Sequence, residues 1–258
     1  MSIITLTTDL GIKDFYLAAI KGSILGSLPD ARIVDITHQI PSYNIAQAAF
    51  IVKNSYPYFH EGTIHLVMVD NCYQNDAKLL AVHADGHYFI GPDNGLFSLA
   101  LHKEPDSVVK INLRLQNDQV HFPIHDIITR AIVHLAKKGK MELIGRKISQ
   151  MNYRTIIQPI LSPDLIRGSV IYIDSFSNVL TNITRDIFDS VGKGRPFRIL
   201  FKRGEILEEI SQTYSDVPEG EKLCLFGITG NLEIAINKGK ASTLLGLNLA
   251  EIVTIEFQ

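Results

Sequence analysis

The order of apolar and polar positions divides the chain into two textures. Ile3-Ile4-Thr5-Leu6-Thr7 is a β-branched run that ends at Thr8-Asp9-Leu10-Gly11, and Leu17, Ile20, Ile24 and Leu28 then recur at helical spacing. Pro29-Asp30 stops that helix and Arg32 to Ile36 reads as a second strand. Asn44 is placed to cap a helix whose inner face carries Ile45, Ala49, Val52 and Tyr56. Gly62 to Asp70 is a third strand. Leu79–Ala84 and His87–Ile90 flank Asp85-Gly86, a hairpin signal, before Gly91-Pro92-Asp93-Asn94-Gly95 and a short helix over 96–102. A strand over 108–113 and a helix from Asp126 to Lys138 follow. Alternating strands and helices predict an α/β domain on a parallel sheet, whose ligands sit at the carboxyl ends of the strands.

Beyond Pro159 and Pro163 the pattern turns to short strands near 168–174, 178–183, 196–202, 222–228, 231–236 and 250–257. This predicts a smaller β-rich domain, with the boundary near Leu161 to Ile166, so that residues 1–162 and 163–258 form the two domains.

Composition narrows the partners. Hydrophobic residues are 46% and charged residues 20% of 258, the balance of a globular chain. Lys plus Arg is 25 against Asp plus Glu at 27, a net charge of −2, and no basic block is present, so nucleic acid is not an expected partner. Apolar runs such as 79–82 and 170–173 are far too short to cross a bilayer, and the first residues lack a basic leader, which makes the cytoplasm the expected compartment. Cys72 and Cys224 are too few for a disulfide framework or a cysteine zinc cluster.

Several polar positions fall where such a sheet presents its ligand. Asp9 follows the first strand, where its carboxylate suits a ribose diol or simply caps the turn; Asp70 repeats that placement after the third strand. Asp93 and Asn94 lie between two glycines that permit close backbone approach. Asp174, Phe176 and Asn178 offer an acid, an aromatic face and an amide within five residues, or a plain corner between strands. Tyr43 stacks on a ligand or staples the start of the second helix. His121 and His125 have the spacing of a zinc pair, but Pro123 between them argues against a helix and no glutamate completes a zinc-protease motif, so no metal and no cofactor are expected. The phosphate loop, the dinucleotide fingerprint and the nucleophile elbow do not occur.

Thr7-Thr8-Asp9-Leu10-Gly11, Lys21-Gly22, residues 34–40, Gly62-Thr63-Ile64-His65, residues 91–95, 174–178 with 181–183, and Gly230-Asn231-Leu232-Glu233-Ile234-Ala235, in this order and spacing, resemble the S-adenosylmethionine hydroxide adenosyltransferase family. These are the SAM hydrolases, related to the fluorinase and chlorinase enzymes. The resemblance implies an N-terminal α/β domain, a C-terminal β-barrel, and a homotrimer with sites between the N-domain of one subunit and the C-domain of the next. It implies attack of water on C5′ of S-adenosylmethionine (SAM), giving adenosine and methionine. Asp9 matches the acid on the ribose hydroxyls and Tyr43 an aromatic near the ligand. Asp174, Phe176 and Asn178 match a ligand-contacting segment in which Ser177 stands where a glycine is usual.

The water site departs from the family pattern. Asp70 matches the acid of an Asp, Arg and His set proposed to hold the water. The arginine position falls on Ala77, beside Lys78, and the histidine position on Pro123, with His125 and His121 nearby; Ile124 sits near a serine of the halogenases. Two readings follow: a hydrolase whose water is held by Asp70 with Lys78 and His125 or His121, or a protein of the same fold that binds SAM or adenosine without turning it over.

Overall fold

A computed structural model describes residues 2–70, 78–113 and 123–258, with the backbone alone for 123–125 and 203. The chain forms two compact units, residues 1–155 and 156–258. The division falls before the expected boundary because residues 160–162 already pair as a strand with the second unit.

The first unit contains β1 (Ile3–Thr8), α1 (Tyr16–Ser27), β2 (Arg32–Thr37), α2 (Ile45–Ser55), β3 (Ile64–Met68), β4 (Leu79–Ala84), β5 (His87–Pro92), α3 (Leu96–Ala100), β6 (Ser107–Ile111), α4 (Pro123–Ala136) and β7 (Gly145–Lys147). Its seven-stranded sheet has the order β2-β1-β3-β5-β4-β6-β7. The expectation of a parallel sheet holds for one half only: β2, β1, β3 and β5 are parallel, whereas β5, β4, β6 and β7 are antiparallel. The Asp85-Gly86 turn accounts for the change, since a two-residue loop can only reverse the chain. Both residues have positive φ, 50° and 77°, as a type I′ turn requires.

One face of this sheet packs Ile4, Leu6, Ile64, Leu66 and Ile90 against Leu17, Ile20 and Ile24 of α1 and Ile128 and Ile132 of α4. The other packs Val67, Val82 and Phe89 against Ala48, Ala49 and Val52 of α2 and Phe97 of α3. Asn44 caps α2 by accepting from Gln47 N at 3.0 Å. A Cβ on Gly91 would lie 2.4 Å from Val67 O, so β3 and β5 approach as closely as they do only with glycine there. The helix expected from Asp126 begins at Pro123: proline opposes a helix interior but suits its first turn.

The second unit contains β8 (Ile160–Ser162), β9 (Leu165–Ile173), β10 (Val179–Thr184), α5 (Arg185–Gly192), β11 (Phe197–Phe201), β12 (Glu205–Leu207), β13 (Lys222–Phe226), β14 (Asn231–Ile236), α6 (Ala241–Leu245) and β15 (Ile252–Phe257). All pairings are antiparallel, in the order β12-β11-β15-β9-β10-β14-β13 with β8 added to β9. The sheet curls into a nearly closed barrel. Its seam is joined by Ser211 N donating to Cys224 O at 2.8 Å and by an ion pair between Lys222 on β13 and Glu205 on β12. Ile166, Val179, Ile183, Ile199, Ile234 and Ile255 fill the interior. The helix α5, capped by Thr184, was not anticipated, because its eight residues fall inside the strand rhythm.

Candidate functional site

The parallel half of the first sheet gathers its polar loops at the carboxyl ends of β1, β2 and β3. Asp9, directly after β1, is the point they share. Its Oδ2 accepts from Tyr43 N at 3.0 Å and from Asp70 N at 3.2 Å, so one oxygen ties the loop after β2 and the end of β3 to β1. Asp9 Oδ1 carries no hydrogen bond among the described residues. Tyr43 and Asp70 both have left-handed backbones, φ 68° and 53°, a conformation costly for side-chain-bearing residues. The strain turns both N–H groups onto the same carboxylate and leaves the Tyr43 ring 72% exposed beside it.

A line of side chains beneath holds this corner. Lys21 Nζ lies 2.6 Å from Asp35 Oδ2, Asp35 Oδ1 lies 3.1 Å from His38 Nε2, and His38 Nδ1 lies 2.9 Å from Thr8 Oγ1. Thr8 Oγ1 also accepts from Leu10 N, and Gly11 N donates to His38 O, which fixes both sides of Asp9. Partial burial opposes ionisation of Asp35, but hydrogen bonds from Lys21 and His38 outweigh it and hold the carboxyl below its usual range. None of these four residues emerged as a site residue from sequence; the spacing of Asp35 and His38 was the available signal.

Asp93 and Asn94 serve mainly to lock their own loop. Asp93 Oδ1 accepts from Asn152 N at 2.6 Å, Asn94 Nδ2 donates to Val69 O at 2.9 Å, and Asn94 Oδ1 accepts from Leu96 N at 3.1 Å. Arg154 Nε donates to Asn94 O across Gly95, whose φ of 88° requires glycine. The loop thereby braces the residue before Asp70. Lys78 O accepts from Asp93 N, so Lys78 stands at the same edge. Its strand is two removed from β3, a lateral backbone separation of roughly 10 Å.

His125 lies in the first turn of α4. Ser2 Oγ donates to Ala136 O, which puts the far end of α4 beside the start of β1. His121, Cys72 and Ala77 lie outside the described residues, as do the side chains of Pro123, Ile124 and His125.

In the second unit, Asp174, Phe176 and Asn178 form the turn from β9 to β10. Asp174 Oδ1 accepts from Phe176 N at 2.9 Å and Asn178 N at 2.7 Å, and Oδ2 accepts from Asn178 Nδ2 at 3.1 Å. Asn178 is buried, whereas the Phe176 ring is 77% exposed: the acid and amide shape the turn and the turn presents the ring.

Family models match both units: residues 4–145 the SAM hydroxide adenosyltransferase N-terminal domain, and residues 168–254 its C-terminal domain. The chain belongs to this family. It is 28% identical to a protein of Methanocaldococcus jannaschii named (R)-S-adenosyl-L-methionine hydrolase, over 99% of this chain and 96% of that one. It is 25% identical to a fluorinase of Actinopolyspora mzabensis, over 98% and 96% respectively. The crystal structure of an uncharacterized conserved protein from Thermotoga maritima superposes with a TM-score of 0.88 at 27% identity, covering 98% of this chain and 99% of that one. For a SAM hydroxide adenosyltransferase, Ser177 is an instructive departure: its φ of 68° is the left-handed conformation for which glycine is the natural residue.

Proposed function

We propose that this protein is a SAM hydrolase that forms adenosine and L-methionine. Both domain matches and the hydrolase named above support this reading, and one observation of the structure carries it. Asp9 is fixed through Oδ2 by two main-chain donors and keeps Oδ1 for a ligand, one strand from Asp70. In this reading Asp9 Oδ1 holds the ribose diol, and Asp70, one strand away, holds the water that attacks C5′. The water oxygen forms the new bond to C5′ while the C5′–S bond breaks and its electron pair neutralises the sulfonium. The proton of the water leaves through the Asp70 carboxylate to solvent. Because the leaving group departs as a neutral thioether, no acid has to protonate it; alignment and exclusion of bulk water are the chief demands on the protein.

In this proposal Asp70 holds the water together with Lys78 and His125 or His121, while Asp9, Tyr43, Asp93, Asn94, Asp174, Phe176 and Asn178 form the ligand surroundings. The functional unit is a homotrimer in which Phe176 and its turn serve a neighbouring subunit. The exposed Phe176 and Tyr43 rings support that assembly, and light scattering should return the mass of three chains.

One observation favours a second reading, in which the ligand binds without turnover. Pro123, at the position of the family's histidine, opens α4 and brings no ring nitrogen that could hold a water. Incubation with SAM, following adenosine and methionine by chromatography beside Asp70→Asn, decides between the two. Equimolar release that vanishes in the variant supports the hydrolase; release at the spontaneous rate leaves the binding protein.

A further inference from the structure

Glu233 is a carboxylate that the reading above leaves unused. Its strand neighbours Leu232 and Ile234 belong to the barrel interior, so Glu233 and Ala235 face outward, where Ala235 packs with Leu223, Leu225 and Val217. Strand register pairs Tyr172 with Leu180, Leu180 with Glu233, and Glu233 with Leu225, a row across β9, β10, β14 and β13. Asp174 lies two residues beyond Tyr172 and Asn178 two before Leu180. By strand alternation the Asp174 turn therefore shares the outer face with Glu233.

Three features set Glu233 apart from an ordinary surface acid. Only 6% of it is exposed, and Tyr214, from the segment before β13, donates its hydroxyl to Oε1 at 2.6 Å. Oε2 accepts no hydrogen bond among the described residues. Gly227 leaves room against that oxygen, since a Cβ there would sit 3.0 Å from Oε2. Burial raises the proton affinity of Glu233, the Tyr214 hydroxyl opposes this, and Asp174 raises it further. Among the described residues neither acid is paired with a lysine or arginine. A buried, half-satisfied carboxylate beside a second acid is stabilised by a cation that also donates hydrogen bonds.

Resting on the substrate reading above, we propose that Glu233 Oε2, oriented by Tyr214 and left open by Gly227, accepts a hydrogen bond from the α-ammonium of the substrate's methionine portion. Glu233 is then the residue that selects the amino-acid end of the sulfonium.

Calorimetry on the full-length Asp70→Asn protein tests this with three ligands. SAM and decarboxylated SAM carry an ammonium; 5′-deoxy-5′-dimethylsulfonioadenosine has the same adenosyl sulfonium without one. The first two should bind about tenfold or more tightly than the third, the scale of one charge-assisted hydrogen bond. Adding Glu233→Gln should bring them to the level of the third and leave the third unchanged, with a smaller loss in Tyr214→Phe. An equal loss for all three ligands, or no discrimination in the parent, overturns the proposal. If Glu233→Gln does not fold, Gly227→Ala, which closes the space before Oε2, should weaken the ammonium ligands alone. A wild-type protein that shows this order of affinities but releases no adenosine sinks the hydrolase reading and leaves the role of Glu233 standing.

Discussion

The two edges of the first sheet are built from the same strands in opposite ways. At the amino edge, side chains answer side chains. Tyr56 donates to Asp85 at 2.7 Å, Lys103 sits 3.4 Å from the same acid, and Thr5, His65 and His87 form a buried row with contacts of 2.7 and 3.2 Å. His65 also stacks on Phe89, with ring centroids 4.9 Å apart. At the carboxyl edge, Asp9 is answered by main-chain N–H groups of two residues in strained conformations, and Tyr43 is left open. The cavity of about 550 Å³ at the amino edge, lined by Tyr56, His60, Asp85, His87 and His102 among others, holds none of the residues matched to ligand binding. The cavity and the strained acid thus lie at opposite edges, and only the second combines backbone strain with a carboxylate oxygen left without a hydrogen bond among the described residues.

If one edge serves chemistry and the other stability, substitutions should separate the two. Asp70→Asn should lower adenosine release by at least about 100-fold, the scale of a lost proton acceptor, with the melting temperature unchanged. An equal fall in stability would erase the distinction. Tyr56→Phe should do the reverse, costing about 1–2 kcal/mol in urea unfolding through the lost bonds to Asp85 and His102, with the rate constant for release unchanged.

The amino edge also predicts a pH response. Burial, with His87 adding to it, holds the pKa of His65 down to about 3, against the ordinary value of 6.5. Between those values the unfolded chain binds the proton and the folded chain does not. His65 therefore contributes stability that is full above pH 6.5 and falls as the pH drops towards 3, by at most about 1.4 kcal/mol per unit, and buried His87, whose pKa is also lowered, adds a drop of the same sign. Urea midpoints at pH 6.5, 5.75 and 5 should show that slope, and His65→Leu should flatten it. The smallest effect belongs to the second unit: Ser177→Gly relieves a φ of 68° and should raise stability by under about 1 kcal/mol in a thermal melt. A loss there would mean that the serine hydroxyl matters more than the backbone.

What the sequence made legible follows from locality. Asn44 as a helix cap, Asp85-Gly86 as a reversing turn and the inner faces of α1 and α2 depend on neighbours a few residues away, and all are realised. The mixed sheet was harder to read, because which strand pairs with which is decided by packing across the whole unit. The positions of Asp9 and Asp70 just beyond β1 and β3 are legible because strand ends are visible in the pattern. The Lys21–Asp35–His38–Thr8 line is not legible in the sequence because three elements contribute to it, and the bonds that tie Asp93 and Asn94 to Asn152 and Arg154 are not legible because those partners lie some sixty residues away.

Asp9 gathers its neighbours through amide hydrogens, groups that every amino acid but one supplies. The side chains at positions 43 and 70 can therefore change without removing the two main-chain bonds to Asp9. The single residue type excluded from both positions is proline, which has no hydrogen to give and cannot adopt the positive φ that each requires. On the hydrolase reading proposed above, residues that hold the water could change, as at positions 77 and 123, while the main-chain anchor at Asp9 stays as it is.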